Sequence, residues 1–103
     1  MVSVQTVREA LREIYDPEIP INIVDLGLIY DVKEHAPGDF EIVFTLTNPA
    51  CPVQDQLAAK MIAVAAKVDG VEYVRTTLTF DPPWGKDKMT TEGKLQASLL
   101  GYT

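Results

Sequence analysis

The sequence has 103 residues, 47% hydrophobic and 23% charged, which predicts one compact globular domain spanning residues 1–103. With 9 basic and 15 acidic residues the formal net charge is -6, and no basic cluster occurs, so neither nucleic acid nor an anionic membrane surface is expected as a partner. One cysteine excludes an internal disulfide, and no apolar run has the pattern of a membrane span or signal peptide, which predicts a cytoplasmic protein.

The chain begins with a predicted helix over residues 4–15. Apolar residues recur there at spacings of three and four, and Ser3 is a suitable N-terminal cap. Pro17 and Pro20 then disfavour helical geometry, so the sequence DPEIPINIV at 16–24 is predicted to form a stiff connecting loop.

Two strands are predicted next, joined by a tight turn. The sequence LGLIYDV from Leu26 alternates in polarity and predicts a strand that ends near Glu34, with one side formed by Leu28, Tyr30 and Val32. The turn signal APGD leads into FEIVFTLT at 40–47, whose apolar side would comprise Phe40, Ile42, Phe44 and Leu46. The two strands should pair as an antiparallel hairpin.

A second helix is predicted to begin at Cys51 and Pro52, because proline suits the first helical position and apolar residues follow at helical spacing. The sequence VEYVRTTLTF at 71–80 then alternates as a third strand, with Val74, Thr76, Leu78 and Phe80 on one side. A right-handed crossover through the helix would make this strand parallel to the second one.

A last helix should run from Thr90 or Thr91 as its cap to Gly101 as its stop. The predicted fold is therefore α+β, in the order α-β-β-α-β-α. It has a small mixed β-sheet, built from a hairpin and a strand-helix-strand crossover, with helices packed on one face.

The single cysteine lies in TNPACPV at 47–53, between two prolines. A helix N-terminus favours an anion, so Cys51 is suited to be a reactive thiolate or a soft-metal ligand, with a small buried apolar side chain as the alternative. The only histidine, His35, falls near the predicted hairpin tip and is not placed as a base for a thiol enzyme. One cysteine and one histidine are too few for a zinc or iron-sulfur site within the chain, so further ligands would come from a second subunit or a partner.

Two further groups of residues are candidates for function. Asp16, Glu18 and Asp25 lie in the loop that can reach the same end of the sheet as Cys51, where oxygen ligation or general-base action competes with a structural role. Trp84, the only tryptophan, follows two prolines and is either an apolar anchor packed on the sheet or part of an interface.

Three stretches carry a resemblance to a known family: DPEIPINIVDLGLIYDV at 16–32, TLTNPACPV at 45–53 and FDPPWGKDKMTTEGKLQASLLG at 80–101. Together they resemble the SufT-like iron-sulfur cluster maturation family, also named for MIP-eighteen and for the phenylacetate-degradation protein PaaD. The resemblance implies an α+β fold and a non-enzymatic role in assembling iron-sulfur clusters or delivering them to apo-proteins.

The resemblance also implies which residues matter. Cys51 would be the functional thiolate and a transient metal ligand, shared with a second subunit or partner, so that a cluster is bound only in passage. The other motif positions are Asp16, Pro17, Glu18, Asp25, Thr47, Pro52 and Trp84. The implied partners are apo iron-sulfur clients, cluster scaffolds and P-loop carrier ATPases, and a homodimer would let two thiolates meet.

Three other functions stay open from the sequence. The chain is alternatively a non-metal adaptor that docks client proteins through a sheet edge or the Trp84 loop, with Cys51 merely packed. It is alternatively a thiol enzyme that pairs Cys51 with a loop carboxylate. The third alternative is a PaaD-like accessory protein of a multicomponent phenylacetyl-CoA oxygenase, a branch that typically carries additional cysteines not found in this sequence.

Overall fold

The computed structural model describes residues 3–16, 19–46 and 54–101. Two short 3-10 turns, Leu11–Glu13 and Lys86–Lys88, accompany the main elements. The main elements are α1 (Val4–Ala10), β1 (Ile29–Ala36), β2 (Asp39–Phe44), α2 (Gln54–Ala66), β3 (Tyr73–Leu78) and α3 (Thr91–Leu100). This order confirms the predicted α+β fold.

Local side chains and a glycine fix the helix ends. Ser3 caps α1 by accepting the Thr6 N–H, and Thr90 caps α3 by accepting the Gly93 N–H. Gly101 ends α3 in the left-handed region at φ 85°, which glycine adopts without steric cost. The predicted cap and stop of the last helix are therefore confirmed.

The first helix is shorter than predicted. Its α-helical part ends at Ala10 and one 3-10 turn continues to Glu13, whereas the prediction extended to residue 15. Ile14 is extended, and its carbonyl accepts the N–H of Ile23 at 2.9 Å. The hydrogen bond from Ile23 thus replaces the last helical turn. The apolar spacing of α1 could not predict this bond, because Ile23 lies outside the helix.

The three strands form one mixed sheet in the order β1-β2-β3. β1 pairs antiparallel with β2 and β2 pairs parallel with β3, which confirms the hairpin and the crossover. The predicted apolar side of the second strand is also confirmed, since four side chains there are buried: Phe40, Ile42, Phe44 and Leu46.

β1 differs from its prediction in two respects. It begins at Ile29 rather than Leu26, because Leu26 and Leu28 donate their N–H groups to earlier loop carbonyls. A register shift between Ile29 and Asp31 also removes Tyr30 from the alternation. Tyr30 is only half-buried, and its hydroxyl donates to the Pro82 carbonyl at 2.8 Å.

One face of the sheet carries the core beneath α1 and α2. α1 packs on β1, α2 packs on β3, and the two helices touch each other. Val74, Thr76 and Leu78 of β3 lie half-buried on this side, as predicted, but Phe80 follows the strand and is 40% exposed, so its predicted place in the strand is wrong. Among the described residues, none of the helices is long and apolar enough to cross a bilayer.

α3 packs against the loop of residues 19–28. Its buried residues are Gly93 and Ala97, whereas Leu95 and Leu99 on the outward side are exposed. A Cβ at position 93 would collide with the backbone carbonyl of Asp25, so glycine is what permits the close approach. The third helix therefore covers the 19–28 loop.

Candidate functional site

The structure describes three of the residues predicted for the site: Asp16, Asp25 and Trp84. The remaining predicted positions, Pro17, Glu18, Thr47, Cys51 and Pro52, lie outside the described residues. The helix start at Cys51, and the approach of the loop carboxylates to its thiolate, therefore stay predictions.

Asp25 lies at the centre of a group of polar side chains that we call the Asp25 hub: Arg12, Asn22, Asp25 and Thr90. Its Oδ1 accepts from Arg12 Nη1 at 2.5 Å and from Thr90 Oγ1 at 2.9 Å. Its Oδ2 accepts from Asn22 Nδ2 at 2.7 Å. The side chain of Asp25 is only 5% exposed, whereas that of Arg12 is 38% exposed. The hub joins the turn after α1, the 19–28 loop and the cap of α3 through one buried carboxylate.

Two opposing effects set the charge state of Asp25. Burial would raise its pKa, because desolvation disfavours the charged form. The hydrogen bonds from Asn22, Arg12 and Thr90, together with the positive charge of Arg12, outweigh burial and hold the pKa of Asp25 below its ordinary value. The hub is therefore built around a carboxylate that is ionised at neutral pH.

The backbone of the 19–28 loop holds the C-terminal segment, residues 80–101, at several further points. Trp84 Nε1 donates to the Leu26 carbonyl at 2.9 Å, and Thr90 N–H donates to the Asp25 carbonyl at 2.9 Å. Gly27 has φ 86°, and a Cβ there would collide with the backbone of Lys88. Trp84 is half-buried and packs against the core, and the interface role that the sequence also allows for it stays a prediction.

Asp16 ends the first described part of the chain. It is buried, its Oδ1 accepts the Ile19 N–H at 3.1 Å, and its own N–H donates to the Ile21 carbonyl. These bonds join Asp16 to the first residues of the 19–28 loop. Asp16 thus fixes the start of the loop that Asp25 holds at its other end.

The same loop is attached to the end of β2 that leads into the cysteine motif. Thr45 N–H donates to the Leu28 carbonyl at 2.8 Å, and both residues are fully buried. Leu46, the last described residue before the motif, is buried as well. A displacement of the 19–28 loop would therefore be transmitted to the strand end from which the segment 47–53 continues.

The described ranges contain no group of three or more histidine, cysteine, aspartate or glutamate side chains that could hold a metal ion. The three hydrogen-bond donors on Asp25 also leave its carboxylate little capacity for a cation. In the part of the chain that the structure describes, the predicted site thus holds elements together and presents no assembled metal centre.

Sequence reasoning did not identify Arg12 and Asn22 as partners of Asp25. It assigned Thr90 only as a cap, although the same hydroxyl also donates to Asp25. One signal was present: Asp25 is a single charge within the apolar run IVDLGLI, and a charge buried in such a run requires partners. Arg12 and Thr90 come from other segments and leave no periodic pattern, whereas Asn22 lies three residues before Asp25 and bonds to it within the same loop.

Comparison with known proteins places this geometry in a family. The sequence profile described as "Iron-sulfur cluster assembly protein" matches residues 4–76. A relative from Porphyromonas gingivalis named "Fe-S protein maturation auxiliary factor" is 44% identical over 90 residues, covering 87% of this chain and 86% of the relative. A Staphylococcus aureus protein named "Fe-S protein maturation auxiliary factor SufT" is 33% identical over 82 residues, covering 80% of this chain and 93% of the relative.

A solved structure shares the fold. The crystal structure of a domain of unknown function from Bacillus anthracis superposes with a TM-score of 0.86 at 29% identity, over 96% of this chain and 92% of that one. The resemblance noted in the sequence is confirmed by the family profile and the named relatives, and the solved structure confirms the fold. This chain belongs to the iron-sulfur cluster assembly protein family, among relatives named as SufT-like maturation factors.

Proposed function

We propose that this protein is a non-enzymatic maturation factor that helps assemble iron-sulfur clusters or deliver them to apo-proteins. The observation that carries this proposal is the family match across residues 4–76, together with the maturation role named for its relatives. The cluster is its cargo, held in passage and then released, and the cytoplasm is where we place this work.

Cys51 is the thiolate that we propose contacts the cluster. It is the only cysteine in the sequence, and a cluster usually requires four ligands. The remaining ligands then come from a client, a scaffold, a P-loop carrier ATPase or a second copy of this chain. An incomplete set of ligands favours cluster transfer. If one protein supplied all four ligands, it would release the cluster slowly.

The position of His35 supports a non-enzymatic role. His35 is 42% exposed on β1, and its Nε2 lies 2.7 Å from Glu41 Oε1. It sits beside the hairpin turn, where β2 begins, whereas the cysteine motif follows the other end of β2. The strand Asp39–Phe44 spans roughly 17 Å between these ends. The only imidazole of the sequence is therefore used on the sheet surface, away from the strand end that leads to Cys51.

The test is anaerobic reconstitution of the wild type and Cys51→Ser with iron and sulfide, followed by transfer to an apo-client. We expect the wild type to gain visible absorbance, to show the mass of a dimer or client complex, and to accelerate maturation. Cys51→Ser should lose the colour and at least about tenfold of the rate. His35→Gln is the matched control and should behave as the wild type.

A Cys51→Ser protein that matures clients at the normal rate would reject the role of the thiolate and favour the adaptor function. In that case Trp84→Ala becomes the informative variant, since the adaptor hypothesis requires it to lose client binding. The bond from Trp84 to Leu26 gives this residue an internal role, so its loss of binding must be separated from a loss of folding by circular dichroism.

A further inference from the structure

We propose that Asp25 is a positioning residue for cluster maturation: its carboxylate holds the C-terminal segment on the 19–28 loop and thereby fixes the strand end that leads to Cys51. This inference rests on the proposed function for its maturation readout. It chooses a role for Asp25. The sequence left three roles open for this carboxylate: metal ligation, general-base action and a structural role.

The carboxylate of Asp25 is already occupied by protein donors. A carboxylate has about four acceptor positions, and Asp25 fills two on Oδ1 and one on Oδ2. Its side chain is 5% exposed. One acceptor position remains on Oδ2, but bidentate metal ligation would require removal of the bond from Arg12 or from Thr90 to Oδ1 and would leave that donor unpaired. A positioning role requires no change in the three hydrogen bonds that Asp25 accepts.

The hub connects the parts of the molecule that a positioning residue must connect. Thr90 belongs to the C-terminal segment and caps α3, and Gly93 places α3 in direct contact with the Asp25 carbonyl. Three residues after Asp25, the Leu28 carbonyl accepts the N–H of Thr45 at the end of β2. Loss of the carboxylate would loosen the C-terminal segment first and the strand end next.

Exchanging two side chains separates positioning from ligation. In Asp25→Asn, the new amide would point an N–H₂ group at the N–H₂ group of Asn22, and the hub would break. In the double variant Asn22→Asp/Asp25→Asn, the residue at 25 can donate to the residue at 22 and still accept from Arg12 and Thr90. The exchange restores every hydrogen bond and the net charge, yet it removes the carboxylate from position 25 and turns the Arg12 ion pair into a hydrogen bond to a neutral amide.

Two readouts are measured on each protein: hydrogen exchange of residues 90–101, and the rate of cluster transfer to an apo-client. For Asp25→Asn we expect exchange of the C-terminal segment to rise about tenfold or more and transfer to fall by a similar factor. The double variant should return both to within about threefold of the wild type. Asp69→Asn, which removes an exposed charge after α2, is the control and should change neither.

Thr90→Val provides a second test in case Asp25→Asn does not fold. It removes one donor to Asp25 and the cap of α3, whereas Thr90→Ser keeps the hydroxyl. We expect Thr90→Val to raise exchange and slow transfer, and Thr90→Ser to do neither.

The possible results separate the alternatives. Unchanged exchange in both Asp25→Asn and Thr90→Val would overturn the proposal. So would a double variant that restores exchange but not transfer, since that result assigns Asp25 a chemical role. If the wild type itself transfers no cluster, the proposed function fails, whereas exchange still decides whether Asp25 holds the C-terminal segment.

Discussion

Two regions of this molecule pair carboxylates with basic side chains. They differ in how deeply the carboxylate is buried and in how many segments of the chain it joins. In the Asp25 hub, one carboxylate that is 5% exposed joins three distant segments. On the outer face of the sheet, Glu41 contacts His35 and Thr77, and Asp39 pairs with an Arg75 that is 58% exposed. Solvent screens the outer pairs, whereas the Asp25 carboxylate is almost withdrawn from water, although its partner Arg12 is 38% exposed. Burial, and the number of segments joined, therefore distinguish a structural carboxylate from a surface one.

The largest expected effect comes from forcing α3 away from the hub. In Gly93→Ala, the added methyl collides with the Asp25 carbonyl, and neither backbone can yield cheaply. We expect the free energy of unfolding to fall by about 2 kcal/mol, despite the better helix propensity of alanine. Urea unfolding followed by circular dichroism measures this. Gly85→Ala is the control, because a Cβ there meets only the end of the Asp87 side chain; equal stability of the two variants would contradict the packing argument.

Acidification should lower the free energy of unfolding by a smaller amount than Gly93→Ala does. The pKa of folded Asp25 is below its ordinary value of about 3.8, so its charged form stabilises the fold above that value. This stability is lost as the pH falls below about 3.8 and through the folded pKa. Urea unfolding of the wild type and Asp25→Asn between pH 7 and pH 2 should therefore show a stability difference that narrows in acid. A difference that is constant with pH would mean that Asp25 is not held as a carboxylate.

The smallest effect is expected on the outer face of the sheet. Arg75→Ala removes the exposed pair with Asp39, and we expect the free energy of unfolding to change by less than about 0.5 kcal/mol. Urea unfolding at low and high salt measures this change, and added salt should remove what remains of it. If Arg75→Ala lowered the free energy of unfolding as much as Gly93→Ala does, the proposed difference between the two regions would be wrong.

Local sequence patterns predicted the elements of this fold well. Alternation in FEIVFTLT identified the buried side of β2, and Thr90 and Gly101 marked the ends of α3. These features depend on residues within a few positions of one another, which is what periodicity and capping rules describe. The register shift at Tyr30 was not predicted, because a bulge is decided by both paired strands and not by one sequence.

The candidate site was predicted only in part. The sequence singled out Asp25 and Trp84, yet their partners Arg12, Thr90 and Leu26 come from segments far away along the chain. The early end of α1 has the same cause, since the carbonyl of Ile14 is taken by Ile23. Long-range hydrogen bonds leave no local signature, so a pattern can mark a residue as important without identifying what it binds.

The separation of Asp25 from Thr90 has a consequence for the order of folding. These residues lie 65 positions apart, whereas the hairpin contact between His35 and Glu41 spans 6. The entropy of closing a long loop must be overcome before such a contact contributes, so we expect the hairpin to form early and the bond to Thr90 late. The bonds of Asp25 to Asn22 and Arg12 span only 3 and 13 positions, so they can form before residue 90 has been made. The docking of the C-terminal segment on the 19–28 loop would then be the step that completes the hub.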